Sequence, residues 1–169
     1  MPMRIAFPIP LLLLATAVMA KPRLHYFSVG PMVHWNFGKG RFQSVSYGLE
    51  TAWWSYEMSS NGPFFGPTPN IEDPKKPGYG LALGFDVGRT GCRWYAEPEI
   101  GWGLGGFSLG TVVETTFTKD SPRWGFQGSV WGNFVLGADI RYRRLRGEGS
   151  VAPGLYAKIV SLTSSVREE

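Results

Sequence analysis

The stretch Gly78-Tyr79-Gly80-Leu81-Ala82-Leu83-Gly84-Phe85-Asp86-Val87 decides the fold, because large apolar residues alternate strictly along it with small or acidic ones. One face of the stretch is entirely aromatic or aliphatic, and the other carries glycine, alanine and aspartate. A period of two residues is the signature of a β-strand whose two faces meet different surroundings. The stretch therefore predicts a strand that separates an apolar environment from a polar one.

The same alternation recurs along the chain and predicts an all-β protein. Breakers such as Gly38-Lys39-Gly40 and Gly105-Gly106 separate the candidate strands. The candidates are residues 24–37, 44–56, 78–87, 93–103, 107–117, 123–130, 134–145 and 151–162. The join at Trp131-Gly132-Asn133 is a weak breaker, so the strand number is seven or eight. We expect an antiparallel up-and-down β-barrel of about eight strands.

Composition favours short strands joined by tight turns. The chain has 23 glycines, 15% aromatic residues and 18% charged residues, against about 25% charged residues in typical domains. The glycines are interleaved with aromatic and β-branched residues, which form strands well. One long connection, residues 59–77, holds five prolines and cannot pair in a sheet. Pro98 lies inside a candidate strand and predicts a β-bulge there.

The first twenty residues have the pattern of a cleaved secretory signal peptide. Arg4 precedes an apolar run, and Val18 and Ala20 form a small-residue cleavage site. We expect a mature chain that begins at Lys21, with an uncleaved membrane anchor as the alternative. Residues 21–162 would then form a single barrel domain, and residues 163–169 a polar tail. Loss of Arg4 lowers the net charge from +4 to +3, which is too small and scattered to indicate nucleic-acid binding.

The polar faces of the strands predict a charged network inside the barrel. Glycine suits a narrow interior where side chains crowd, whereas on a solvated face it would only weaken a strand. Opposite charges in a confined space can form charge-assisted hydrogen bonds. We expect Arg141 to pair with carboxylates among Glu97, Glu99 and Glu114. The candidate interior residues are Glu50, Asp86, Arg93, Glu97, Glu99, Glu114, Asp139, Arg141, Arg143 and Lys158.

The aromatic faces favour contact with lipid. Trp94 and Trp102 lie eight residues apart on one face, which gives a height difference of about 20 Å at a tilt near 40°. Membrane barrels carry an outward apolar band of about 25 Å edged by aromatic girdles. The alternative is that these side chains fill the core of a soluble barrel.

On these patterns, residues 24–162 resemble the small bacterial outer-membrane β-barrels and are similar to the barrel domain of the outer-membrane protein A family. The resemblance rests on alternation, without a diagnostic motif. It implies an eight-stranded barrel in the outer membrane, with membrane lipid as its partner. The periplasm or the extracellular space is the alternative location. Members of the class usually end on an aromatic residue, whereas this chain ends in Arg167-Glu168-Glu169.

Motifs that could carry chemistry are weak. The segment from Gly101 to Gly106 matches G-x-G-x-x-G, but a strand pattern follows where a dinucleotide site needs a helix. His34 is a candidate general base without a nucleophile motif beside it. The single cysteine and two distant histidines do not supply a metal-ligand cluster. We expect no catalytic, cofactor-binding or metal-binding residues, and no cofactor.

Three functions remain open from the sequence. The first is a non-enzymatic outer-membrane barrel with a packed polar interior and a structural or interaction role. The second is a soluble periplasmic or secreted barrel that binds an apolar ligand, as lipocalins do. The third is a lipid-modifying outer-membrane enzyme that uses His34. A protein partner or ligand cannot be read from the sequence, and nucleic acid is not expected.

Overall fold

The computed structural model describes residues 23–38, 44–57, 77–102, 105–118, 121–132 and 136–165. All regular structure within these ranges is β-strand. The strands are β1 (Arg23–Gly38), β2 (Ser44–Glu57), β3 (Gly78–Gly88), β4 (Gly91–Trp102), β5 (Gly105–Thr116), β6 (Arg123–Gly132), β7 (Leu136–Leu145), β8 (Glu148–Ala157) and β9 (Ile159–Ser165). No helix in the described ranges is long and apolar enough to cross a bilayer.

The sheet closes into an eight-stranded antiparallel barrel. Each strand pairs with the next, and β1 pairs with β2 on one side and with β8 and β9 on the other. The β8 and β9 segments are the two halves of one barrel strand, because they meet β1 in the same register on either side of Lys158. The predicted up-and-down barrel is therefore confirmed, with eight strands.

The register fixes the tilt of the strands. A path that steps from each residue to its partner on the next strand starts at Tyr26 on β1 and reaches Arg141 on β7 and then Ala152 on β8. The pair Phe37↔Val151 sets the register between β8 and β1. Ala152 therefore lies opposite Asn36, and the path returns to β1 ten residues from its start. Ten residues at about 3.3 Å across eight strand spacings of about 4.8 Å give a tilt of about 41°. A barrel of this size has an interior that side chains can fill.

Two details differ from the expectations. No register shift occurs at Pro98, so the predicted bulge is wrong: the β4–β5 pairing omits Glu97 and Pro98 and resumes in the same register. A proline lacks only one N–H group, and the ladder loses pairing locally without inserting a residue. The last strand extends to Ser165, three residues beyond the expected barrel end, because Ser164 pairs with His25 across a bulge. The signal segment, most of the long 59–77 connection and residues 166–169 lie outside the described residues.

The barrel has a polar interior and an apolar exterior. The alternating burial of β4 and β7 shows the pleat directly, with every second residue buried. Arg93, Arg143 and Asp86 are at most 1% exposed. On the outer wall, Leu83, Leu109 and Ile140 are each about half exposed or more, at 49%, 70% and 57%. This is the reverse of the arrangement in a soluble globular domain.

Candidate functional site: the charged lumen

Arg141 is the centre of the largest ion-pair cluster in the lumen, the space enclosed by the strands. From β7 its Nη2 donates to Glu50 on β2 at 2.6 Å, and its Nε donates to Asp139 at 2.5 Å. Glu50 also accepts from Lys158 Nζ and from the hydroxyl of Tyr95, each at 2.7 Å. The guanidinium lies over the Tyr95 ring, 4.6 Å from its centroid. Charges from both walls of the barrel therefore meet at one point.

The predicted ion-pair partners of Arg141 differ from those in the structure, so that prediction is wrong. Arg141 bonds Glu50 and Asp139 instead of Glu97, Glu99 or Glu114. Asp139 is available because it is two residues away on the same face of β7. Glu50 becomes a neighbour only when the barrel closes and brings β2 opposite β7. Strand alternation identifies the inward face, but it carries no information about which residues meet across the lumen.

A second cluster lies nearer the end of the barrel that carries the Arg89-Thr90 and Arg146-Gly147 turns, called here the turn end. Arg93 on β4 binds both carboxylate oxygens of Asp86 on β3, at 2.7 Å each. Arg143 lies 3.6 Å from Asp86 and donates at 3.1 Å to Asn36, which also accepts from Arg93 at 2.9 Å. The cluster thus links four strands through two arginines.

Polar side chains that the sequence argument did not single out complete the network. Gln127 on β6 accepts from Arg143 and donates to Glu97 at 2.5 Å. Arg123 lies at the rim of the turn end, 4.0 Å from Glu114 and 2.9 Å from Glu148. Both residues fall on the inward face of β6 by alternation, so the same pattern could have identified them.

At the other end, where β1 begins and β9 ends, aromatic rings fill the lumen. This terminal end holds a buried group in which Tyr26, Trp54 and Tyr56 stack with ring centroids 5.4–6.5 Å apart, and Trp131 meets Trp54 edge-on at 5.2 Å. Glu99 is buried at 7% exposure and pairs with Gly80, which in turn pairs with Trp54. Glu99 therefore marks the boundary between the aromatic group and the charged network.

Glycines make room for these inward rings. A Cβ built on Gly78 would lie 2.0 Å from the Tyr56 ring, and one on Gly80 would lie 2.7 Å from Trp54. A Cβ on Gly84 would lie 2.2 Å from the Tyr95 hydroxyl oxygen, and one on Gly137 would overlap the Tyr156 ring. Each ring packs flat against a neighbouring strand that has no side chain at that point. Glycine at these four positions therefore lets the inward aromatic rings fit inside the barrel.

The residues considered for a chemical role lie in packed or hydrogen-bonded parts of the barrel. His34 is fully buried, and its Nε2 lies 3.0 Å from Asp139. The G-x-G-x-x-G segment spans the end of β4 and the start of β5, which pair through Trp102 and Gly105, so a strand follows the motif as the sequence pattern indicates. Cys92 is half-buried and contacts Thr115. Among the described residues, no group of three or more His, Cys, Asp or Glu side chains could hold a metal ion.

The outer wall carries aromatic side chains toward both ends of single strands. Exposed pairs are Trp94 and Trp102 on β4, Phe27 and Trp35 on β1, and Tyr47 and Trp53 on β2. At the tilt found above, the pairs on β4 and β1, eight residues apart, differ in height by about 20 Å, and the pair on β2, six residues apart, by about 15 Å. Exposed aliphatic residues lie between the aromatic ones, for example Leu49 on β2. The wall is thus an aliphatic band bounded by two aromatic rows.

Comparison with known proteins gives little. No protein-family model matches the chain, and no curated protein matches it. Among solved structures, the crystal structure of Ail, the attachment invasion locus protein of Yersinia pestis, matches 83% of this chain and 100% of its own chain. The sequence identity is 10% and the TM-score is 0.26. A TM-score this low supports no inference about what this chain does.

Proposed function

We propose that the chain is a non-enzymatic β-barrel of the bacterial outer membrane, with a packed charged interior and a structural or interaction role. The observation that carries the proposal is the reversed polarity of the wall. Large apolar side chains on every barrel strand are exposed, while arginines and carboxylates are buried.

Three physical arguments support the bilayer as the surroundings of this wall. Soluble monomers rarely expose apolar patches larger than a few hundred Å², whereas here the exposed apolar side chains encircle the barrel. A closed barrel also satisfies its backbone hydrogen bonds internally, which hydrocarbon requires of any structure that spans it. The aromatic rows lie about 20 Å apart, close to the spacing of the girdles of membrane barrels.

The two alternative functions fit the lumen less well. An apolar ligand would have to displace the ion pairs of Arg141 and Arg143 or the stacked rings of the terminal end. A lipid-modifying enzyme needs a catalytic base that lipid can reach, but His34 is fully buried and bonded to Asp139. The interior is better suited to rigidity than to binding or catalysis.

Quenching by brominated lipid tests the proposal. In a Cys92→Ser background, a single cysteine at Leu83 or at Arg89 is labelled with a fluorophore after refolding into vesicles. Leu83 lies in the aliphatic band of β3, and Arg89 is exposed in the turn six residues later, about 15 Å higher along the barrel axis. We expect strong quenching at position 83 by lipids brominated at mid-chain and weak quenching at position 89.

Equal quenching at the two positions, or a protein that stays in solution without binding vesicles, would contradict membrane insertion. Recovery of the protein with a copurified apolar molecule in the absence of detergent would favour the soluble ligand-binding barrel.

A further inference from the structure

Two exposed arginines lie at the turn end of the barrel. Arg144 is exposed on the outer face of β7, and Arg146 is exposed in the turn that follows. Among the described residues, neither forms an ion pair, whereas Arg123 at the same rim bonds Glu148 at 2.9 Å. The two guanidinium groups are therefore available to a partner outside the barrel wall.

Aromatic side chains lie beside and below these arginines. Phe126 pairs with Arg144 across β6 and β7, and Tyr142 precedes Arg144 by two residues on the same face. Trp124 lies beside the turn, because its neighbour Gly125 pairs with Leu145, the last residue of β7. The three rings are 52–69% exposed. The five residues form one outward surface, called here the arginine patch, with Tyr142 and Phe126 beneath the arginines and Trp124 beside them.

The backbone at Arg146 adopts a conformation that is unusual for arginine. Arg146 has a φ of 46° and Gly147 a φ of 87° in a two-residue turn. Such turns need positive φ at both central positions and strongly favour Asn, Asp or Gly at the first. An arginine held there costs free energy that asparagine would avoid. The paired strands β7 and β8 hold Arg146 in this conformation despite the cost.

We propose that the arginine patch binds the phosphate groups of membrane-lipid headgroups in the leaflet at the turn end. This inference rests on the proposed function, since it requires the aromatic row to lie at the membrane interface. Guanidinium groups bind phosphate oxygens through paired hydrogen bonds. Amphipathic rings settle at the level of the headgroups. A phosphate above Tyr142 and Phe126 would therefore meet both arginines.

Lipid selectivity next to the patch provides the test. In a Cys92→Ser background, a fluorophore is attached to a cysteine at Val151, which pairs with Tyr142. The protein is refolded into vesicles of phosphatidylcholine and phosphatidylglycerol, in which one lipid or the other is brominated. Both leaflets have the same composition, so the direction of insertion does not affect the result. The relative quenching measures which lipid occupies the patch.

We expect the unsubstituted patch to prefer the anionic lipid. The double variant Arg144→Gln/Arg146→Asn should lose that preference. Each arginine near an anionic surface raises the affinity for it by a factor of about five, so the preference should fall by about that factor for each arginine removed. Asparagine suits the left-handed backbone at position 146, so the double variant keeps the turn. Arg89→Gln is the matched control, because it removes one exposed arginine from a different turn at the same end. It should leave the preference at position 151 unchanged.

An unchanged preference in the double variant would overturn the inference while leaving membrane insertion intact, since both lipids would still quench. An equal loss in Arg89→Gln would also overturn it, because the preference would then reflect total charge at the rim. Absence of quenching by either lipid would refute both the inference and the proposed function.

Discussion

Replacing Arg141 by methionine tests whether the lumen is packed or hydrated. Methionine keeps much of the side-chain volume and removes the charge. The substitution deletes the bonds to Glu50 and Asp139 together with the contact over the Tyr95 ring. Both carboxylates would remain buried, each with one charged or histidine neighbour, Lys158 or His34.

The expected loss of stability follows from the stranded charges. Removing one member of a buried pair costs about 3–5 kcal/mol. Two pairs are lost here, but each carboxylate keeps another donor, so we expect a total within this range. With a urea m-value of about 2 kcal/mol/M, the unfolding midpoint should fall by about 1.5–2.5 M.

The matched control is Arg144→Met, three residues later on the same strand. Arg144 faces outward, is exposed and has no ion pair among the described residues. A surface substitution of this kind changes stability by about 0.5 kcal/mol or less. Both variants are unfolded in urea from the same non-ionic detergent, which offers Arg144 no phosphate group to bind, with tryptophan fluorescence as the probe. Equal midpoints for the two variants would show that water screens the interior charges and would refute the packed lumen.

Two further predictions concern packing and processing. Gly78→Ala should destabilise the barrel by about 1–3 kcal/mol, because its Cβ would lie 2.0 Å from the Tyr56 ring; Gly128→Ala, whose Cβ would have 3.4 Å to Ser108 O, should be nearly neutral in the same urea titration. If the two alanine variants unfold at the same midpoint, the rings do not pack on the glycines as described. Exported protein should begin at Lys21 when its N-terminus is sequenced, and retention of Met1 would contradict a cleaved signal peptide.

The fold could be predicted from the sequence because the decisive information is local. Alternation along the stretch from Gly78 to Val87 identifies both the strand and its apolar face. The turn residues between strands are equally local: β6 ends at Gly132, within the weak join, and β7 begins at Leu136. Short-range patterns of this kind survive in the fold because each barrel strand pairs with its neighbour in sequence.

The partners within the lumen could not be predicted, because they depend on closure and tilt. His34 and Asp139 are 105 residues apart, and Arg143 and Asn36 are 107 apart. No pattern in the chain encodes these pairs. The inward position of Arg123 and Gln127 could have been predicted, however, because alternation places both on the same face of β6 as Ser129. The prediction failed there because it relied on strands with longer and more regular alternation.

The long sequence separation of the interior ion pairs has a consequence for folding kinetics. Arg141 and Glu50 can bond only after β1 has met β8 and β9, so the stabilising contacts form late and together. Such high contact order is associated with slow folding. In a bilayer, a partly formed sheet would present unpaired edges and uncompensated charges to hydrocarbon. The strands therefore have no favourable route to cross one at a time, and insertion and closure should occur as a single concerted event.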